Sequence, residues 1–274
     1  PEWYTLLLKA SVSGILPQAE LEDARKMMSD DEFQQEFECS FLAAIKGAYY
    51  SQQLNSLRKN NQITNVPHQA EIPVFTYWDL GISDSTTIIF AQAVNKEIHI
   101  IDYYEANGFA LDHYAKILNT KPYIYAAHYL PHDIQARELG TGRSRKEILE
   151  KWLGRDKIKV VPNIGVKDGI EAVRMILPRC WFDEIKTAKL VDALGSYTQE
   201  WDPVKGIYKD KPRHDAASDP ADAMRMCAVA FKEKLDQGQS HGIGMAKYKD
   251  FGSSDRGFKR FNKLVSKLGH ALSK

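Results

Sequence analysis

The sequence predicts an α/β protein with a mixed sheet, helices on its flanks and a helical segment ahead of it. Three observations carry that prediction. Val74–Trp78, Thr86–Val94 and Glu97–Tyr104 are β-branched and aromatic runs that read as three consecutive strands. Only Asn95 and Lys96, a two-residue hairpin turn, separate the last two. From Ala110 onward, helical and strand-like stretches alternate, as they do where helices cross between parallel strands.

Taken in order, Leu16-Pro17 followed by QAELEDARKMMSDDEFQQEF predicts two amphipathic helices. One starts near Pro17; the other starts at Ser29, an N-cap with Glu32 three residues on. FLAAIKGAYY (Phe41–Tyr50) is apolar enough to dock on something. Residues 51–72 are polar, contain Pro67 and read as a linker. After the three strands come a helix (Ala110–Leu118) and a fourth strand (Tyr123–Tyr129) followed by LPHD, which ends at Asp133. A helix after Ser144, a strand (Lys157–Val161), a helix (Asp168–Leu177), a short strand near Trp181 and a helix (Glu184–Tyr197) follow. A hairpin (Gln199–Lys209) leads into a last helix from Ser218 to about Leu235. The order β-β-β-α-β-α-β-α is that of the RNase H-like fold. The expected division is a helical tail and linker over 1–66, the RNase H-like domain over 67–237 and a flexible basic tail over 238–274. In that tail Phe258, Phe261, Leu264, Val265, Leu268 and Leu272 recur at helical spacing. They suit either a helix packed on the domain or a basic docking tail.

Composition narrows the classes. With 37 basic and 36 acidic residues the chain carries no global nucleic-acid signal. The distribution is uneven, for residues 241–274 hold eight bases against two acids. Cys39, Cys180 and Cys227 are far apart, with no CxxC pair, which argues against a zinc site or a disulfide framework. No apolar run approaches the ~20 residues of a membrane span. TLLLKASVSGIL is interrupted by Lys9 and makes a poor signal peptide. A chain opening on Pro1 is expected to be a fragment of a longer protein.

The chemistry is expected in three acids. Asp79 ends the first strand, Asp133 follows the fourth, and Asp222 lies in the first turn of the last helix, in DPADAMRM. A carboxylate at the end of a buried strand must be paired, hydrogen-bonded or bound to a cation. Gly81 is expected to let the chain turn and to leave room above Asp79 for a phosphate. Gathered together, three carboxylates would need cations, and hard oxygen donors favour two Mg²⁺ or Mn²⁺ ions. Such a pair activates water for in-line phosphodiester hydrolysis without a protein nucleophile. Singly, such an acid is more often a turn former or cap than a ligand, and Asp222 alone also suits a helix-dipole partner. Asp84, Asp215 and Asp219 are auxiliary metal candidates that also suit turns and caps. His128 and His132 read as structural, and His214 as a residue that shapes the site. Arg137, Arg143, Arg145 and Lys146 are candidate DNA-phosphate contacts, with a solvated helix start as the alternative.

WDLGISDSTTI, YLPHDIQARELGTGRSRKEIL and HDAASDPADAMRM resemble, in order, the three acidic segments of the nuclease domain of tailed-bacteriophage large terminase subunits. MSDDEFQQEFECSFLAAIKGAYY is similar to the stretch joining that family's ATPase domain to its nuclease. The resemblance spans about Ile72 to Leu235. It implies a divalent-metal-dependent endonuclease cutting concatemeric double-stranded viral DNA, with Asp79, Asp133 and Asp222 as the catalytic acids. It also implies that the full-length protein works with the phage portal and the small terminase subunit, in the host bacterial cytoplasm and away from any membrane. No GxxxxGK[ST] phosphate loop occurs, so an ATP-driven motor is not expected here. Competing readings are a Holliday-junction resolvase or transposase-like nuclease and, through DLGISDSTT, an actin-like or sugar-kinase phosphotransferase.

Overall fold

The computed structural model describes residues 8–28, 33, 36–38, 47–81, 84–137 and 142–236. The helix start expected at Ser29, most of the stretch 41–50 and the basic tail lie outside them. Chain order runs α1 (Ala10–Ser13), α2 (Gln18–Met27), α3 (Ser51–Lys59), β1 (Ile63–Thr64), β2 (Val74–Asp79), β3 (Thr86–Val94), β4 (Glu97–Ala106), α4 (Leu111–Thr120), β5 (Tyr125–Leu130), α5 (Arg145–Leu153), β6 (Ile158–Val160), α6 (Val166–Ile176), β7 (Cys180–Asp183), α7 (Ala188–Ser196), β8 (Gln199–Asp202), β9 (Ile207–Pro212) and α8 (Ser218–Asp236).

Seven strands form one mixed sheet in the order β1-β7-β4-β3-β2-β5-β6. β2, β3 and β4 are an antiparallel meander, while β5 joins the other side of β2 in parallel and β6 extends it. This is the RNase H-like arrangement. Asn95, in the hairpin turn, takes φ 56°, the left-handed region that asparagine tolerates. β3 reads as a nearly unbroken apolar run because both sheet faces are covered. Ile89 and Ala91 face a core built with α3, α6, α7 and α8, whereas Ile88 and Phe90 face one built with α4 and α5. α5 starts where its capping box dictates: the Ser144 hydroxyl accepts the Glu147 N–H, and the Glu147 carboxylate accepts the Ser144 N–H, both at 3.1 Å.

Residues 51–72 are a correction to the sequence reading. Their first part is no linker: it forms α3 and the edge strand β1, which runs parallel to β7. Leu54 and Leu57 are each 1% exposed, in the same core as the sheet. The Gln62 amide donates to the Cys180 carbonyl at 2.9 Å, and the Val66 N–H donates to the Asp183 carboxylate at 3.2 Å. A helix that buries one narrow stripe keeps polar residues elsewhere, which is why its composition looked like that of a linker. The expected helix over Glu184–Tyr197 starts late, at Ala188. Asp183 holds a turn ahead of it by accepting the N–H groups of Ile185 and Lys186. No described helix is long and apolar enough to cross a membrane.

Candidate functional site

Three elements deliver the predicted acids. Asp79 is the last residue of β2, opposite Thr87 of β3. Asp133 sits in a short 3-10 turn (His132–Gln135) directly after β5, the parallel neighbour of β2. Asp222 lies near the start of α8, one turn beyond the Asp219 of its first turn, and α8 packs across β2 and β3. Asp79 and Asp222 are partly buried, while the Asp133 side chain is half exposed.

Electrostatics tie the acids together. Burial pushes the Asp79 carboxyl up to about 8; the charges of Asp222 and Asp219 add to this, Arg225 opposes it, and Asp133 adds further. The Asp222 carboxyl is raised by burial as well, against the pull of Arg225. Asp79 therefore favours its protonated form near neutral pH. Among the described residues, however, no group of three or more His, Cys, Asp and Glu side chains stands close enough to hold a metal ion as a set. The acids share one field at the end of the sheet without forming a closed ligand cage.

The auxiliary acids have work of their own. The Asp219 carboxylate accepts the Ser85 N–H at 2.9 Å, and its backbone carbonyl accepts the Thr87 hydroxyl at 3.0 Å. Asp215 closes the turn before α8 by accepting the Ala217 N–H at 3.0 Å and pairing with Arg213 at 3.3 Å. Asp84 is exposed, and its backbone carbonyl oxygen lies 2.7 Å from where a Cβ on Gly81 would stand. On its Cβ side Gly81 thus packs against the protein's own backbone, while Gly81 also lines a cavity with Leu80, Thr86 and Arg145.

Among the basic candidates, Arg145 reaches back to Asp133, with Nη1 3.8 Å from Oδ2, and Lys146 lies 3.8 Å from Glu150. Arg137 and Arg143 are exposed, and Arg137 pairs with Ser144 across the loop. His128 is buried under the sheet with Nδ1 2.7 Å from the Thr76 hydroxyl, which also accepts the Trp78 indole N–H at 2.7 Å. Burial pulls its pKa down to about 3, so His128 is a neutral structural residue. His132 lies 3.3 Å from the Asn163 amide, while His214 acts electrostatically on Asp219 and Asp222.

Sequence reasoning missed Arg225. Its Nε donates to Oδ1 of Asp222 at 2.9 Å, and Nη2 pairs with the same oxygen. The signal was present in the i, i+3 spacing of Asp222 and Arg225 within DAMR.

This architecture recurs in solved structures. The large terminase of a thermophilic bacteriophage aligns over 81% of this chain and 54% of its own, at 14% identity and a TM-score of 0.51. The same terminase in complex with ATP-gamma-S aligns over 78% and 52%, at 15% identity and a TM-score of 0.52. The chain shares its fold with about half of this large terminase. This chain spans about half the length of those terminases. The terminase nuclease domain of bacteriophage SPP1 with bound Mn also aligns, over 59% of this chain and 86% of its own, at 16% identity and a TM-score of 0.44. No protein-family model and no curated protein sequence matches the chain.

Proposed function

We propose that this chain is the nuclease part of a phage DNA-packaging terminase, a divalent-metal-dependent endodeoxyribonuclease acting on double-stranded viral DNA. The observation that carries the reading is the shared field of Asp79, Asp222, Asp219 and Asp133 at the end of β2, in a chain that shares its fold with about half of a large terminase. The donors are all carboxylates, the chemistry that suits Mg²⁺ or Mn²⁺, and Arg225 is one buried positive charge beside several acids. Asp79, Asp133 and Asp222 would hold the ions. Bound there, two divalent ions would supply an activated water and stabilise the leaving 3′ oxygen.

The remaining work falls to the chain itself. Asp79 gives up its carboxyl proton as positive charge enters, which makes cation uptake proton-releasing and favoured by rising pH. Arg225 opposes the upward push that burial gives the Asp222 carboxyl. Arg143 and Arg145, at the entry to α5, are the side chains we assign to DNA phosphates, with Arg137 and Lys146 beside them. Such contacts place the backbone without reading bases, so cutting should show little sequence preference. The portal, the small terminase subunit and the host bacterial cytoplasm belong to the same proposal.

The deciding experiment incubates the protein with supercoiled plasmid and with four-way DNA junctions, in Mn²⁺ or EDTA. The reading expects Mn²⁺-dependent plasmid cleavage that Asp79→Asn abolishes while its circular dichroism stays native. Junction-selective cutting, or cleavage that survives Asp79→Asn, overturns it.

A further inference from the structure

Arg225 is 12% exposed at its side chain and stands one helical turn after Asp222. Both of its contacts, through Nε and Nη2, fall on Oδ1; among the described residues the other carboxylate oxygen has no hydrogen bond or ion pair. A buried guanidinium needs a defined place, and α6 provides it. A Cβ on Gly169 would stand 2.8 Å from Arg225 Cδ, so only glycine lets the arginine lie across the helix. The contact falls in the middle of the arginine side chain, where the chain cannot swing clear as a free end would. Tyr50 and Tyr197 stack at 5.8 Å between ring centroids, and their hydroxyls lie within electrostatic reach of Arg225.

We propose that Arg225 is a positioning residue for the metal-binding carboxylate. By gripping Oδ1 of Asp222 from a slot made by Gly169, it leaves Oδ2 as the oxygen that takes a divalent cation. The inference rests on the metal-dependent reading above. It goes beyond that reading by assigning a role to a residue outside the three acids, and to a glycine on another helix. A freely rotating Asp222 would have to be ordered when the ion binds, whereas one fixed by Arg225 is ordered beforehand. Partners of this outer kind typically change metal affinity by about 10–100-fold when removed.

The test is Mn²⁺ titration by calorimetry on wild type, Arg225→Met, Arg225→Lys and Gly169→Ala, with thermal unfolding of each without metal. Arg225→Met should bind Mn²⁺ about tenfold or more weakly, and Arg225→Lys, which keeps one charged donor, should recover part of the loss. Gly169→Ala retains every acid and the arginine but displaces the guanidinium, so it too should weaken Mn²⁺ binding; this arm decides the matter if Arg225→Met does not fold. Wild-type affinity in folded Arg225→Met, or in Gly169→Ala, overturns the proposal while leaving the nuclease reading intact. Failure of the wild type to bind Mn²⁺ overturns both.

Discussion

The carboxylate of Asp219 accepts the backbone N–H of Ser85 at 2.9 Å, fastening the start of α8 to the strand entrance after Asp79. The acid one turn before Asp222 is therefore a clamp for the loop that follows Asp79. Asp219→Ala leaves the Ser85 N–H without its charged acceptor, a loss of about 1.5–3 kcal/mol. Urea unfolding should show that drop, and an unchanged midpoint would contradict the clamp.

Asp79 and His128 give stability opposite slopes with pH. Asp79 is raised from 3.8 to about 8, so the native state keeps a proton that the unfolded chain has released. Stability falls as pH climbs through that window. His128 is lowered from 6.5 to about 3, so the unfolded chain takes up a proton that the native state refuses. Stability from this group falls as pH drops through its window. The two slopes oppose each other where the windows overlap, so stability should be flat there and decline on both sides. Urea midpoints measured across pH without divalent ions check this. Asp79→Asn should remove the alkaline decline, and retention of that decline would count against the buried carboxyl.

Leu54 and Leu57 lie in the main core, so Leu54→Ala should cost about 2–5 kcal/mol, as truncation of a packed leucine does. A linker position would change stability by no more than about 0.5 kcal/mol. Chemical denaturation separates the two outcomes.

Gly81→Ala puts a methyl group 2.7 Å from the Asp84 carbonyl oxygen. It also disturbs the exchange in which the Gly81 N–H donates to the Thr86 hydroxyl and the Gly81 carbonyl accepts from it. Overpacking of this kind costs about 1–3 kcal/mol. Thermal unfolding should show the loss, and a neutral substitution would mean that the turn rearranges freely.

What the sequence revealed and what it hid have physical reasons. β2, β3 and β4 were legible because a sheet covered on both faces imposes long β-branched and aromatic runs. The positions of Asp79 and Asp222 followed from a strand end and a helix start, which local chemistry marks. α3 was hidden because two buried leucines suffice to dock a helix whose other residues stay polar. The pairing of Arg225 with Asp222 was legible in their spacing, but the clamp of Asp219 on Ser85 and the slot that Gly169 gives Arg225 were hidden, because each joins residues far apart in sequence.

The docking of α3 and β1 bears on mechanical behaviour. The Tyr49 N–H is bonded to the Tyr197 carbonyl at 3.0 Å, Ala48 bridges to Thr198, and Ile63 and Thr64 are paired with Phe182 and Asp183. From Gly47 to the first central strand the polypeptide is thus fastened at successive points, first to the segment that follows α7 and then to the edge of the sheet. A tug arriving from the Gly47 side would load these contacts directly instead of being absorbed by slack.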